Sequence, residues 1–167
     1  HIHFAAADNY RKRLIQLGES PENVFCFGGL GVDAIKKVNI LSKKRLSETL
    51  NIRLNRTSFL VTYHPVTLEK DYGLSGLNNL LNALNCFPDS TICFTLPNAD
   101  TNSSLITKEI KNFLETHNNS FLFSSMGQDK YYSCLKHFSA VIGNSSSGLL
   151  EAPSFRIPPM NIGKRQN

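Results

Sequence analysis

The sequence predicts an α/β fold in which helices cover both faces of a doubly wound parallel sheet. Short apolar and β-branched runs alternate along the chain with amphipathic segments of helical period. The length of 167 residues is enough for one domain with a buried core. Because strands alternate with helices of this length, we expect right-handed βαβ units that form a parallel, Rossmann-like sheet.

Six runs are predicted as strands, and HIHFAAA indicates a further strand at the start of the chain. The six runs lie at residues 24–29, 58–64, 90–96, 120–124, 139–144 and 159–162. The predicted helices lie at residues 43–51, 74–85, 103–117, 128–137 and 146–152. In the second of these, the helical spacing places four leucines on one face: Leu77, Leu80, Leu81 and Leu84.

Composition and charge exclude several classes of protein. The content of 41% hydrophobic and 19% charged residues is typical of a globular protein. No apolar run approaches the roughly 18 residues that a membrane-spanning helix needs, so we expect no membrane partner. The net charge of +5 weakly favours an anionic partner, but the lysines and arginines are scattered. Nucleic acid is therefore not expected as a partner.

The cysteines show no CxxC pair and no metal-ligand spacing, and most have apolar neighbours. Buried free thiols in a reducing cytoplasm are the ordinary interpretation. No HExxH or similar pattern occurs, so we predict no metal site. The glycines of CFGGLGVD do not form GxGxxG, and no cofactor is predicted.

Polar and small residues follow the predicted strands directly. In a doubly wound sheet, ligands bind beyond the carboxyl ends of the strands. This rule selects the following positions: Gly28, Gly29 and Gly31, His64, Asn98 and Asp100, residues 124–131 and residues 145–151. We therefore expect a ligand-binding cleft built from these segments.

Three consecutive serines, residues 145–147, follow the run SAVIGN and are predicted to begin a helix. Unpaired N–H groups and the positive end of the helix dipole favour an anion there, and small residues let it approach. Glu151 lies about one turn further, where a carboxylate can accept hydrogen bonds from a ribose diol. A serine N-cap with a solvent-facing glutamate would give the same pattern, so both interpretations stay open.

Several motifs together carry a family resemblance. GNSSSGLLEAPSF with INIGKRQ, LVTYHPVTLE and FTLPNAD resembles the UDP-N-acetylglucosamine 2-epimerases, especially the hydrolysing branch that supplies N-acetylmannosamine for sialic acid. The opening HIHFAAADNYRKRLIQLGESPENVFCFGGLGVD resembles the same branch, so essentially the whole chain is covered. The resemblance implies one half of a two-domain GT-B-type fold. It assigns residues 1–20 to the end of the N-terminal domain or an interdomain segment, and 21–167 to the C-terminal UDP-binding domain. The N-terminal domain and final helices would lie outside this sequence.

The resemblance implies a phosphate and ribose site. Ser145 and Ser146 match positions that bind the UDP phosphates, and Ser147 lies beside them. Arg165 lies close to the phosphate end, where its guanidinium could pair with the diphosphate. Glu151 matches the carboxylate that holds the uridine ribose.

The resemblance also implies a uracil and a catalytic position. Tyr131, placed by spacing alone, falls where an aromatic ring stacks on uracil. His64 matches the histidine that faces the sugar, and its ring suits proton transfer or polarisation of the leaving phosphate. Without the resemblance, the favoured interpretation is that His64 ends its strand and that its ring forms a hydrogen bond with the backbone.

The implied reaction converts UDP-N-acetylglucosamine to N-acetylmannosamine and UDP through elimination and hydration. The acid and base carboxylates of the family belong to the other domain, so this chain is expected to be inactive alone. Expected partners are UDP-N-acetylglucosamine or UDP, and the full-length protein is expected to be a cytoplasmic homodimer.

Alternatives remain within and outside this branch. The non-hydrolysing epimerases carry an arginine-rich segment after the equivalent histidine, whereas HPVTLEKDYG contains no arginine, which favours hydrolysis. A GDP-linked or modified sugar could replace the usual donor. The rival classes are a GT-B-type glycosyltransferase and a non-enzymatic module that senses UDP-sugars.

Overall fold

A computed structural model describes residues 1–166, which form two compact units divided after residue 38. Residue 167, the predicted end of the second domain, lies outside the described residues. No helix in the described part of the chain is both long and apolar enough to cross a membrane. We describe the two units, residues 1–38 and residues 39 onward, separately.

Unit 1 contains two short parallel strands, each followed by a helix. Strand β1 (His3–Ala5) precedes helix α1 (Asp8–Gln16), and a 3-10 turn (Pro21–Asn23) leads to strand β2 (Val24–Cys26) and helix α2 (Leu30–Ile35). β1 pairs with β2, so the pairing spans the domain boundary predicted after residue 20. α1 and α2 were not among the predicted helices: α2 has only six residues, and neither helix buries a residue.

Unit 2 contains a five-stranded parallel sheet. Its strands are β3 (Ser58–Thr62), β4 (Thr91–Thr95), β5 (Ser120–Phe123), β6 (Ala140–Gly143) and β7 (Pro159–Asn161). Its helices are α3 (Lys43–Leu50), α4 (Leu74–Leu84), α5 (Ser103–Thr116), α6 (Gly127–His137), α7 (Ser147–Leu150) and α8 (Ala152–Phe155). The order is β5-β4-β3-β6-β7, and every pair is parallel. The predicted doubly wound fold is therefore confirmed.

Two predicted elements differ from those observed. The run at 24–29 is a strand only to Cys26, and it belongs to the separate two-stranded sheet. The helix predicted at 146–152 is two short helices that meet at Glu151. Pro153 explains the break, because proline has no N–H to donate and its ring crowds the carbonyl of the residue four positions earlier.

Side-chain alternation along the strands divides the core of unit 2 between two layers of helices. One layer packs α4 and α5 on alternate strand residues, including Phe59, Val61, Ile92 and Phe94. The intervening residue Cys93 points to the opposite face and lies near α6. All five residues of β3 are buried, as expected for a central strand covered on both faces.

The strand order places a topological switch point beside β3. From β3 the chain moves outward to β4 and β5, then returns to β6 on the other side of β3. The carboxyl ends of β3 and β6 therefore flank the position where doubly wound sheets bind ligands.

Candidate functional site

A cleft of about 380 Å³ opens at this switch point. Residues that follow β3, β4, β5 and β6 line it, among them His64, Asn98, Met126 and Ser145. Residues after four strands of unit 2 therefore meet in one cleft, as expected, but Asp100 is not among the residues that line it. The volume lies within the ordinary range of ligand sites.

The ends of β3 and β6 approach so closely that only glycine fits between them. Gly143 has φ +140°, and a Cβ atom on it would lie 1.9 Å from the carbonyl oxygen of Thr62. The next residue, Asn144, is fully buried. Its side chain accepts a hydrogen bond from the His64 N–H (2.7 Å) and donates one to the His64 carbonyl (2.8 Å). The backbone of His64 is therefore held on both of its polar groups.

The His64 ring lines the cleft although the residue is only 6% exposed. The backbone N–H of Asn98 donates to its Nδ1 at 3.2 Å. Burial lowers the pKa of His64, the positive charge of Arg165 lowers it further, and Asp100 acts in the opposite direction. The ring thus bonds to backbone, as a purely structural histidine would, and also faces the ligand space.

The three serines occupy different positions. Ser145 and Ser147 line the cleft, whereas Ser146 is exposed and is not among the lining residues. α7 begins at Ser147 and has only four residues. Its dipole is therefore weaker than that of the longer helix predicted at residues 146–152. Hydroxyl groups, rather than a long helix, are the main donors offered here.

Tyr131 connects α6 to the serine segment. Its hydroxyl hydrogen-bonds the Ser147 hydroxyl, and burial raises the pKa of Tyr131. Its ring lies edge-on to Tyr132, with 6.1 Å between ring centroids. Tyr131 lines the cleft, and its stacking on uracil stays a prediction.

Glu151 also lines the cleft, at the end of α7. Its Oε2 atom is buried and has no hydrogen-bond partner among the described residues. Burial raises the pKa of this carboxyl group. An unsatisfied buried carboxylate oxygen is costly, so the geometry favours a ligand that brings hydroxyl donors to it.

Arg165 lies beside the site rather than within its lining. Its guanidinium donates to the Asn144 carbonyl at 3.1 Å, and the Gln166 amide donates to the same oxygen at 2.9 Å. Arg165 is exposed and lines a neighbouring groove with Thr67. Among the predicted site residues, the structure brings together His64, Ser145, Ser147, Glu151 and Tyr131, and it leaves Ser146 and Arg165 at the margin.

Sequence reasoning missed several residues that build the cleft. The hydroxyls of Thr62 and Thr95 hydrogen-bond at 2.7 Å across the strand ends, and both residues line the cleft. Threonine is common in strands, so its presence in a predicted strand does not indicate a ligand-binding role. Asn144 had one usable signal, its position directly after a buried strand.

No group of three or more His, Cys, Asp or Glu side chains could hold a metal ion within residues 1–166. The absence of a metal or cofactor from the function stays a prediction. The polar residues that line the cleft carry hydroxyls, two amides (Asn98 and Gln128), one imidazole and one carboxyl, a set suited to a polyhydroxylated, anionic ligand.

Comparison with known proteins identifies the family. The model of the UDP-N-acetylglucosamine 2-epimerase family matches residues 1–167. The chain belongs to this family. A relative from Campylobacter jejuni, GDP/UDP-N,N'-diacetylbacillosamine 2-epimerase (hydrolyzing), is 40% identical over 99% of this chain and 44% of its own length. Polysialic acid biosynthesis protein P7 of Escherichia coli is 36% identical over 99% of this chain and 42% of its own length.

Two solved structures share the fold. A Staphylococcus aureus MnaA structure with UDP superposes with a TM-score of 0.70 at 18% identity, covering 96% of this chain and 41% of that one. The Methanocaldococcus jannaschii UDP-GlcNAc 2-epimerase in complex with UDP-GlcNAc and UDP gives 0.71 at 15% identity, covering 95% and 44%. Unit 2 is a doubly wound half of the GT-B type. The chain spans less than half the length of these relatives.

Proposed function

We propose that the parent protein is a hydrolysing UDP-sugar 2-epimerase and that this chain supplies the UDP-binding wall of its active site. One observation carries the proposal. His64, Ser145, Ser147 and Glu151 line a single cleft at the switch point, and the buried Oε2 of Glu151 has no partner in the described chain. Two relatives whose names specify hydrolysis, from C. jejuni and Legionella pneumophila, share 40% and 30% identity with the chain.

The nucleotide is proposed to lie along the cleft with its diphosphate at the serines. Ser145, Ser146 and Ser147 would donate to the phosphates, and Arg165 would approach them from the margin. The Glu151 carboxylate would accept hydrogen bonds from the ribose hydroxyls. The Tyr131 ring is proposed to stack on uracil while its hydroxyl stays bonded to Ser147.

The proposed reaction begins with elimination. A base removes the proton at C2 of the sugar, the C1–O bond breaks, and its electron pair leaves with UDP. Water then adds to the glycal, which gives N-acetylmannosamine and UDP. His64 is the catalytic residue proposed from this chain, and it polarises the leaving phosphate. The base and acid carboxylates are expected from the other domain, so the chain alone is proposed to be inactive.

The substrate proposed first is UDP-N-acetylglucosamine, for a sialic-acid-type pathway. The names of the C. jejuni and L. pneumophila relatives make a diacetylated, UDP- or GDP-linked sugar the main alternative. A non-hydrolysing reaction is the second candidate, because the Neisseria meningitidis UDP-N-acetylglucosamine 2-epimerase is 27% identical over the whole chain. A cytoplasmic homodimer is proposed for the full-length protein.

UDP binding to the full-length protein tests the site. We expect saturable binding by calorimetry, and Glu151→Ala should weaken it about 10- to 100-fold, because hydrogen bonds to a charged group are lost. Glu115→Ala, which truncates an exposed glutamate of α5, is the matched control and should bind like wild type. Equal affinity of both variants would refute the assignment of Glu151.

Product analysis tests the reaction. Full-length protein incubated with each candidate sugar should release UDP or GDP and a free 2-epimerised sugar, as detected by NMR. His64→Ala should lower kcat by about 100-fold or more, with affinity for UDP largely retained. Accumulation of an epimerised UDP-sugar without nucleotide release would instead establish the non-hydrolysing reaction.

A further inference from the structure

We propose that the backbone N–H of Asn98 holds His64 in the neutral tautomer that carries its proton on Nε2, so that His64 serves the cleft as a hydrogen-bond donor and not as a base. The tautomer follows from geometry in this chain, whereas its use in catalysis rests on the proposed function. Asn98 acts here through its backbone as a positioning residue.

The tautomer follows from what each atom can do. A backbone N–H can only donate, so the Nδ1 atom that faces Asn98 at 3.2 Å must present its lone pair. A neutral imidazole carries one proton, and that proton then lies on Nε2. A doubly protonated ring would place two N–H groups against each other at this contact.

The fold fixes both partners of this contact. The backbone of His64 is bonded on each side to the buried side chain of Asn144. Asn98 follows β4, whose last residue Thr95 is in register with Thr62 at the end of β3. Because the two strand ends are aligned, the segment after β4 brings its N–H to the ring.

The charges around the ring also favour the neutral form. Arg165 follows β7 and disfavours a second positive charge, whereas Asp100 follows β4 and favours one. Burial, the strongest influence, lowers the pKa together with Arg165. Asn144 faces the backbone of His64 and adds no charge. The ring therefore stays neutral at neutral pH.

The consequence concerns the direction of proton transfer. When the C1–O bond breaks, its electron pair moves to the leaving phosphate oxygen, and Nε2–H can donate to that oxygen. Removal of the C2 proton by Nε2 would need a lone pair there and a proton on Nδ1, which Asn98 opposes. The C2 proton must then go to a group other than His64.

The experiment reads the tautomer directly. Full-length protein labelled with ¹⁵N-histidine is studied by NMR at neutral pH without nucleotide, and the His64 signals are assigned by their loss in His64→Gln. We expect one protonated nitrogen, Nε2, in the wild type. Asn98→Ala keeps the backbone N–H and should keep this pattern. Asn98→Pro removes the N–H and should give averaged nitrogen signals with a fall in kcat of about tenfold or more.

Several results would overturn the proposal. They are a wild-type pattern with the proton on Nδ1, an averaged pattern in the wild type, or an unchanged pattern in folded Asn98→Pro. Circular dichroism checks the folding of this variant. If it does not fold, the wild-type pattern still decides, together with two substitutions of His64. His64→Gln can place an amide donor near the Nε2 position and should retain about tenfold more kcat than His64→Asn. Equal kcat values would count against a donor role.

The tautomer is measured without ligand, so its outcome is separate from the UDP titration. If the full-length wild-type protein does not bind UDP but His64 carries its proton on Nε2, only the proposed function is refuted. Normal UDP binding with the proton on Nδ1 would refute the tautomer alone.

Discussion

Replacement of Gly143 by alanine should strongly destabilise the protein, because the end of β6 leaves no room for a Cβ atom. Gly143 ends β6 with φ +140°, a region that residues with a side chain rarely adopt. A Cβ atom there would lie 1.9 Å from the Thr62 carbonyl oxygen and 2.7 Å from the Thr62 carbonyl carbon. Both are backbone atoms of the central strand, so the clash cannot be relieved by rotation of a side chain.

The magnitude follows from two contributions. Backbone strain at such a position costs about 1–3 kcal/mol. Separation of β3 from β6 would weaken the hydrogen bond from the Asn144 N–H to the Thr62 carbonyl (3.2 Å) and its neighbour in the ladder, at about 1 kcal/mol each. We therefore expect Gly143→Ala to lower the free energy of unfolding by about 3–5 kcal/mol.

Thermal unfolding followed by circular dichroism measures this loss. At about 2–4 °C per kcal/mol, Tm should fall by roughly 6–20 °C. Gly148→Ala is the matched control, because its Cβ would meet Pro159 Cβ at an ordinary 3.7 Å. Alanine in a helix should change stability there by less than about 1 kcal/mol. A free energy of unfolding of Gly143→Ala within about 1 kcal/mol of the wild-type value would refute the prediction of a steric clash.

Three further predictions concern buried polar groups. Asn144→Ala should lower the free energy of unfolding in urea by about 2–4 kcal/mol, because it leaves the buried N–H and carbonyl of His64 unpaired. The control Asn161→Ala removes an exposed side chain and should have little effect. Equal losses of stability in the two variants would contradict the prediction. Tyr63→Phe should cost about 0.5–1.5 kcal/mol, because the buried hydroxyl donates to the Gly73 carbonyl at 2.8 Å; an unchanged urea midpoint would show that this hydrogen bond adds nothing. Burial lowers the pKa of His64 in the folded state below its ordinary value of 6.5. The neutral ring therefore contributes stability above pH 6.5, and this contribution is lost as the pH falls through the lower pKa of the folded state. His64→Gln should reduce the loss of stability between about pH 7 and pH 5, and an identical pH profile would show that His64 does not contribute.

Much of unit 2 could be predicted because its periodicity is strong. The strands β3 to β7 all match predicted runs, and the leucines of α4 are buried as their spacing indicates. Helices α1 and α2 were not predicted; α2 has only six residues, and neither helix buries a residue. The prediction of one helix at 146–152 was wrong because it rested on the spacing of apolar residues and did not take into account Pro153, which lies in the first turn of a second helix.

The sequence by itself determined the alternation of strands and helices, the chemical groups at the strand ends and the family to which the chain belongs. Only the tertiary structure decided which of those groups meet. Asn144 and His64 are 80 positions apart, and their pairing depends on β6 returning to lie beside β3. The contact of Asn98 with the His64 ring likewise depends on the alignment of β3 with β4. Such contacts arise from strand order and register, which are set by packing across the whole sheet and leave no local pattern in the chain.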